Sequence, residues 1–298
     1  MVAVPAPSLV APIAPKTPDG PYVIAWNDLV LEVDARTGGR VTALRLGGRN
    51  LLTEPSVDPG NFGSTFWTSP QSVWGWPPVA EIDHAPYRAS IDGDALVMRS
   101  PRSASLGVEV EKLICADRRR SALLFEYRIH NLGETPLQTA PWQITRVAPG
   151  GLTFYPSGEG SFAPSNLHVR EEAGVTWFDY DRSRISDHNK LFADGREGWI
   201  AHVDGDALLV KTFPVVPRAA HAPGEAQIEI YANPSHTYIE VEVQGAYETV
   251  APGAALVWQI VWLVRHLPPE LPVAVGSAPL LAHVRALVAA DAAAALAV

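Results

Sequence analysis

The chain has 298 residues, of which 47% are hydrophobic and 18% charged, a balance that supports a sizeable core and excludes global disorder. Its 23 lysines and arginines against 32 aspartates and glutamates give a formal charge of −9 with no basic stripe, which argues against a nucleic-acid surface. The one cysteine, Cys115, excludes an internal disulfide and any multi-cysteine metal site, and 27 prolines with 23 glycines point to the many turns of an all-β chain.

Residues 1–20 are broken by proline and lack an early basic segment, so they read as an extended tail and a poor signal peptide. They also fit the start of a mature chain whose export signal was replaced by Met1, which tilts the expected compartment toward periplasmic or secreted. From Pro21 onward, short apolar-alternating runs recur between Gly, Pro, Asn and Asp, among them YVIAWNDLVLEVDA, LGVEVEKLICA, SALLFEYRIHN, QIEIYANP and TYIEVEVQ. Asp92-Gly93 and Gly205-Asp206 suit hairpin turns. The basic triplet at 118–120 lies between two strand-like runs and reads as a solvated turn. No GxSxG, P-loop or helix-opening GxGxxG occurs, so serine hydrolase, nucleotide-binding and dehydrogenase chemistry have little support. No run reaches the apolar length of a membrane span. Only the C-terminus has a helical period, with Leu280, His283 or Val284, Leu287 and Val288 on one face and the last alanines expected to fray. The pattern predicts a single domain over 21–270, a large antiparallel β-sandwich, and a partly helical extension over 271–298.

Three segments could carry chemistry. The run at 61–78, NFGSTFWTSPQSVWGWPP, holds Phe62, Phe66, Trp67, Trp74 and Trp76 in an irregular, Gly/Pro-rich stretch. Flat aromatic faces stack on the C–H faces of sugars, and Gln71 suits a hydroxyl. The same rings equally suit a plug at one end of the sandwich. Glu81, Asp83 and His84 follow directly. An imidazole titrates near neutrality and suits proton transfer, although a lone histidine is more often a surface or structural one. The other histidines are scattered, without HxxxH or HxH spacing, and no metal ion is expected. In the run at 237–244, strict alternation puts Ile239, Val241 and Val243 on one strand face and Tyr238, Glu240, Glu242 and Gln244 on the other. That row lines either a polar groove for a polyhydroxylated ligand, with His236 at its mouth, or a solvated sheet face. Arg40, Arg146 and Lys211 suit an anionic sugar, or are ordinary surface cations.

The order of segments resembles the galactose mutarotase-like (aldose 1-epimerase-like) superfamily, and in particular a bacterial branch of it. The residues that carry the likeness are TGGRVTALRLGGRNLL, HNLGETPLQTAPWQIT and EVEVQGAYETVAPGAALVWQIVWLV, with FWTSPQSVWGWPP between the first two. The likeness runs from about Tyr22 to Leu267. It implies an all-β supersandwich with a short C-terminal helix and a concave groove for a sugar or oligosaccharide, without a cofactor. In the epimerases a glutamate takes the anomeric hydroxyl proton while a histidine protonates the ring oxygen. The family's Glu-x-Gln falls on Glu242 and Gln244, and its first histidine falls nearest His84 by order. Where its second histidine is expected, this chain has Trp142 and Gln143. The expected function is carbohydrate binding, with anomer interconversion by Glu242 and His84 as the catalytic form. The expected binding set is Trp67, Gln71, Trp74, Trp76, Asp83, Trp142, Gln143, His236, Glu240 and Gln244. The alternatives are a non-catalytic carbohydrate-binding protein and a domain associated with polysaccharide lyases or glycosidases.

Overall fold

A computed structural model describes residues 13–162 and 165–296. Residues 1–12 of the expected tail lie outside the described residues. The next few enter the sheet, because Ala14–Pro15 pairs with Tyr22 and Val23. The strands follow the alternation of their sequences. Leu29–Asp34 buries Leu29, Leu31 and Val33 and leaves the residues between them half-buried. Gly93 and Gly205 turn the two expected hairpins with positive φ, at 57° and 58°.

The strands form two antiparallel layers. The first runs in the order Tyr22–Trp26, Leu29–Asp34, Arg40–Leu46, Ser64–Ser69, Leu137–Val147, Ile239–Gln244, Ile228–Ala232, Lys190–Gly195. The second runs Arg88–Asp92, Ala95–Arg99, Val108–Asp117, Ala122–Asn131, Ala255–His266, Ala207–Thr212, Trp199–Asp204. Leu152–Phe162 belongs to both. Its first residues pair with Trp199–Asp204 and its last with Lys190–Gly195, with a register shift between Ser157 and Ser161. Such an irregularity bends a strand, and here it carries the chain from one layer to the other. The expected all-β supersandwich with a C-terminal helix is the observed fold.

The main core lies between the layers and includes Leu31, Phe66, Phe125, Val241, Val243 and Trp262. A second cluster covers the outer face of the second layer, where Leu280, Leu281 and Val284 of the helix pack with Phe154, Trp177, Trp199, Val210 and Leu263. A third, small cluster of Trp67, Trp142 and Ile144 lies on the far face of the first layer.

The terminal alanines, expected to fray, continue the helix, which runs unbroken over Ala278–Leu296, as alanine's high helix propensity allows. With 19 residues and a mean hydropathy of 1.4 it is also long and apolar enough to cross a membrane by length and composition. Alanines between His283, Arg285 and Asp291 raise the mean where the sequence offers no continuous apolar run. Arg120 is no solvated turn residue either. Its Nε and Nη2 donate to Asp291 at 2.8 and 2.7 Å and tie the 118–120 turn to the helix.

Candidate functional site

The strand Leu137–Val147 lies between Ser64–Ser69 and Ile239–Gln244, and register decides what meets on each face. Trp142 stands opposite Trp67 on one side and Gln244 on the other. Ile144 stands opposite Thr65 and Glu242, and Arg146 opposite Glu240. One strand further on, Glu242 faces Glu229 and Glu240 faces Tyr231. Tyr231 then faces Lys190, and Glu229 faces Phe192. The face turned away from the main core therefore carries tryptophans, carboxylates, an amide, a guanidinium and an ammonium across five adjacent strands.

The solvated-sheet alternative for the run at 237–244 does not hold, because every residue of Ile239–Gln244 is buried. Many of the polar groups instead bond to one another. Trp142 Nε1 donates to Glu242 Oε2 at 2.8 Å. Lys190 Nζ lies 2.5 Å from Glu229 Oε2 and 3.4 Å from Glu242 Oε1, and sits 5.0 Å from the Trp142 ring centroid. Gln244 Nε2 and the Ala226 amide both donate to Glu229 Oε1 at 2.8 Å. Arg146 Nε donates to Glu240 Oε1 at 2.8 Å. Burial alone lowers the Lys190 pKa, but Glu229 and Glu242 outweigh it and the net shift is upward. Burial pushes the Glu229 carboxyl well up, with Glu242 adding to the effect against Lys190. Burial likewise pushes Glu240 up to about 7, with Arg146 opposing.

The aromatic segment closes on this face. Trp67 meets Trp142 edge-on at 5.4 Å and Trp74 at 5.6 Å between centroids. Trp76 approaches Trp67 at 6.1 Å and remains 61% exposed at the rim. Trp74 is half-buried and donates through Nε1 to the Thr68 carbonyl at 2.8 Å. Gln71 opens a 3-10 turn, and its amide donates to Glu225 Oε1 at 2.8 Å. Its side chain bonds weakly to Gly75 O, at 3.4 Å.

Asp83 ends a short helix beside the tryptophans. It accepts from Trp67 Nε1 at 2.7 Å and Thr65 Oγ1 at 2.9 Å, and pairs with Arg40 Nη2 at 2.9 Å. Burial pushes its pKa up, but Arg40 and the Trp67 and Thr65 donors outweigh that and hold it below the usual range. The Gly-Gly-Arg turn explains the pairing. Gly38 has φ 66°, and a Cβ there would lie 1.9 Å from the Asp83 carbonyl oxygen, so only glycine lets the turn approach closely enough for Arg40 to reach in.

The structure thus gathers Glu240, Glu242, Gln244, Trp67, Trp142 and Trp74 on one face, with Trp76, Gln71 and Asp83 at its border. It does not bring the imidazoles to Glu242. The His84 side chain is 60% exposed, with Nδ1 3.7 Å from Asp83 Oδ2. His236 sits in the turn before Ile239–Gln244 at φ 57° and faces the Tyr180 hydroxyl at 3.3 Å. Among the described residues neither hydrogen-bonds to Glu242. Gln143 lies on the opposite face, in the main core, where it donates to the Tyr127 hydroxyl and accepts from Trp262 Nε1 at 3.1 Å. A strand cannot turn both Trp142 and Gln143 to one side.

The surface-cation reading of Arg40, Arg146 and Lys211 is overturned, since all three are buried. Lys211 serves the core side, donating to the Val241 carbonyl at 2.7 Å. Sequence reasoning missed Lys190 and Glu229. The second had a signal, because QIEIYANP alternates as TYIEVEVQ does and presents Gln227, Glu229 and Tyr231 together. Lys190, at the head of KLFADG, had none.

A family model described as "Domain of unknown function (DUF4380)" matches residues 70–265. No curated protein matches in sequence. Among solved structures, a galactose mutarotase-like protein from Lactobacillus casei is similar with a TM-score of 0.59 at 12% identity, covering 83% of this chain and 100% of that one. Galactose 1-epimerase from Lactobacillus acidophilus is similar with a TM-score of 0.53 at 11% identity, covering 88% and 99%. A galactose mutarotase-like protein from Clostridium acetobutylicum gives 0.53 at 9% identity, covering 83% and 95%. At these identities the likeness is one of fold: the sandwich is galactose mutarotase-like.

Proposed function

The chain belongs to the DUF4380 family, and from that premise and its galactose mutarotase-like fold we propose that it binds a carbohydrate on the tryptophan- and glutamate-bearing face of its first layer. The observation that carries the reading is the convergence of Glu240, Glu242 and Gln244 with Trp67 and Trp142 on one sheet face. Carboxylates and amides accept and donate to hydroxyls, and indole faces take the apolar side of a pyranose. This combination of a few fixed polar groups with aromatic walls is what sugar sites use.

Glu242 is the proposed base for anomer interconversion. Its Oε2 accepts from Trp142 Nε1, and its Oε1 makes no hydrogen bond among the described residues, with the Lys190 ammonium 3.4 Å away. An aldose hydroxyl delivered to Oε1 is in position to lose its proton. A specific observation favours the non-catalytic alternative: among the described residues neither His84 nor His236 bonds to Glu242, and where the resemblance implies a second histidine the chain has Trp142 and Gln143.

The two readings separate by experiment. Mono- and oligosaccharides are screened by thermal shift on the full chain, and each hit is followed by polarimetry. Glu242→Gln is expected to abolish anomer interconversion while leaving affinity within a few-fold, and Trp74→Ala to weaken affinity. Binding without any change in optical rotation identifies a non-catalytic binder. Undiminished interconversion in Glu242→Gln rules out the base role, and a chain that binds no sugar rules out the function.

A further inference from the structure

Arg146 is placed for more than structure. It is fully buried on the same face as Glu242, yet only its Nε is engaged, by Glu240 at 2.8 Å. Both terminal nitrogens, Nη1 and Nη2, are enclosed and have no acceptor among the described residues. The guanidinium lies 5.4 Å from the Trp67 ring centroid and 6.0 Å from that of Tyr238. Aromatic faces hold a cation in place but do not satisfy its N–H groups.

The neighbours do not satisfy it either. Asp83 is committed to Arg40, Trp67 and Thr65. Among the described residues Glu240 is the one carboxyl that reaches Arg146, it does so at Nε alone, and burial pushes its pKa up. This end of the face therefore holds two guanidiniums, Arg40 and Arg146, beside two carboxyls: Asp83, fully engaged elsewhere, and Glu240, which meets only the Nε of Arg146. The other end, with Glu225, Glu229 and Glu242 around Lys190, is acidic. A planar fork whose two terminal nitrogens form one free edge fits an oxyanion in two-point contact, which a neutral hydroxyl cannot match in charge or geometry. The Glu240 side chain is 12% exposed against 1% for Arg146, so Glu240 is the member of the pair nearer solvent.

We propose that Arg146 is the anion-recognising residue of the site and that the ligand is an acidic sugar whose carboxylate or phosphate group docks on its Nη1 and Nη2. This rests on the carbohydrate reading above and names the class of carbohydrate. Arg146 is a binding residue here, with no part in proton transfer.

The test is isothermal titration of the full chain with matched pairs: glucuronate against glucose, galacturonate against galactose, glucose 6-phosphate against glucose, with inorganic phosphate as a separate probe. The expected result is that at least one acidic member binds roughly 10-fold or more tightly than its neutral parent, and that Arg146→Gln brings the ratio close to one. The uronates and the phosphate ester tell carboxylate from phosphate. Equal affinity for neutral and acidic sugars, or a preference that survives in Arg146→Gln, overturns the proposal and leaves the carbohydrate reading intact. Binding of inorganic phosphate with no sugar overturns both. Should Arg146→Gln fail to fold, Glu240→Gln decides, because it removes a competing carboxylate while keeping an acceptor for Nε. Acidic-sugar affinity is then expected to rise or hold, and a fall overturns the proposal.

Discussion

Lys112 is a buried lysine whose ammonium hydrogen-bonds only to backbone among the described residues. Its Nζ donates to the carbonyls of Gly38 and Gly39 at 2.6 and 3.2 Å, and the Tyr87 ring centroid lies 5.0 Å away. It thereby holds from below the turn that brings Arg40 to Asp83. Burial lowers its pKa to about 7, with Arg40 adding and Asp83 opposing. An unfolded lysine keeps its proton up to roughly pH 10.4, so between about 7 and that value the unfolded chain binds more protons and stability rises with pH. Lys112→Met removes this contribution. The stability of the wild type relative to Lys112→Met is expected to increase steadily from pH 7 to pH 10, measured as the difference in urea unfolding free energy. A constant difference would mean that the lysine stays charged in the fold.

At the scale of elements, legibility followed period. The run at 237–244 announced its two faces because its alternation is strict and unbroken. QIEIYANP carried the same signal, yet its partner in register, Glu229 opposite Glu242, depends on which strands become neighbours, and no local pattern encodes that. Gln143 was misplaced by reading two adjacent residues as one site, against the alternation that separated them. Trp67 stood out by composition, but its bond to Asp83 required a short helix folded back against the strand. Burial of Arg40 and Arg146 was illegible because nothing local distinguishes a surface arginine from one paired across a layer.

The C-terminal helix was visible as an element, while its docking was not. Leu280 and Val284 are fully buried against the outer face of the second layer, and ion pairs link Asp291 to Arg120 and Arg285 to Glu197. The Arg285–Glu197 pair is partly solvated and contributes little, while Arg120–Asp291 is largely buried, where the cost of desolvating both charges offsets much of their attraction. The apolar contacts therefore carry the attachment. Leu280→Ala is expected to destabilise the fold by about 2–5 kcal/mol, read as a lower urea midpoint at unchanged slope. An effect below about 0.5 kcal/mol would mean that the helix contributes little to the folded unit.

At the scale of the whole molecule, the two layers need fastening where their turns meet. Asp28 lies in a hairpin turn of the first layer, Asp206 in a hairpin turn of the second, and His266 ends the long strand Ala255–His266 between them. Its Nδ1 and Nε2 stand 2.9 Å from Asp206 and Asp28 respectively. Arg49 reaches the same corner, at 2.7 Å from Asp204 and 3.3 Å from Asp206. The hydrogen bonds to Asp206 and then Asp28 raise the His266 pKa above its ordinary value. Its contribution is therefore complete below the unfolded value of about 6.5 and is lost as pH rises through the folded one. All three side chains are largely exposed, so solvent and salt screen the effect. His266→Gln keeps a hydrogen-bonding side chain and removes the charge. Its stability deficit relative to wild type is expected to be larger at pH 5.5 than at pH 8.5, and to shrink in high salt, by chemical denaturation under each condition. A deficit independent of both would reduce the corner to neutral hydrogen bonding, and the layers would then be held by their shared core and by Leu152–Phe162, the strand that crosses between them.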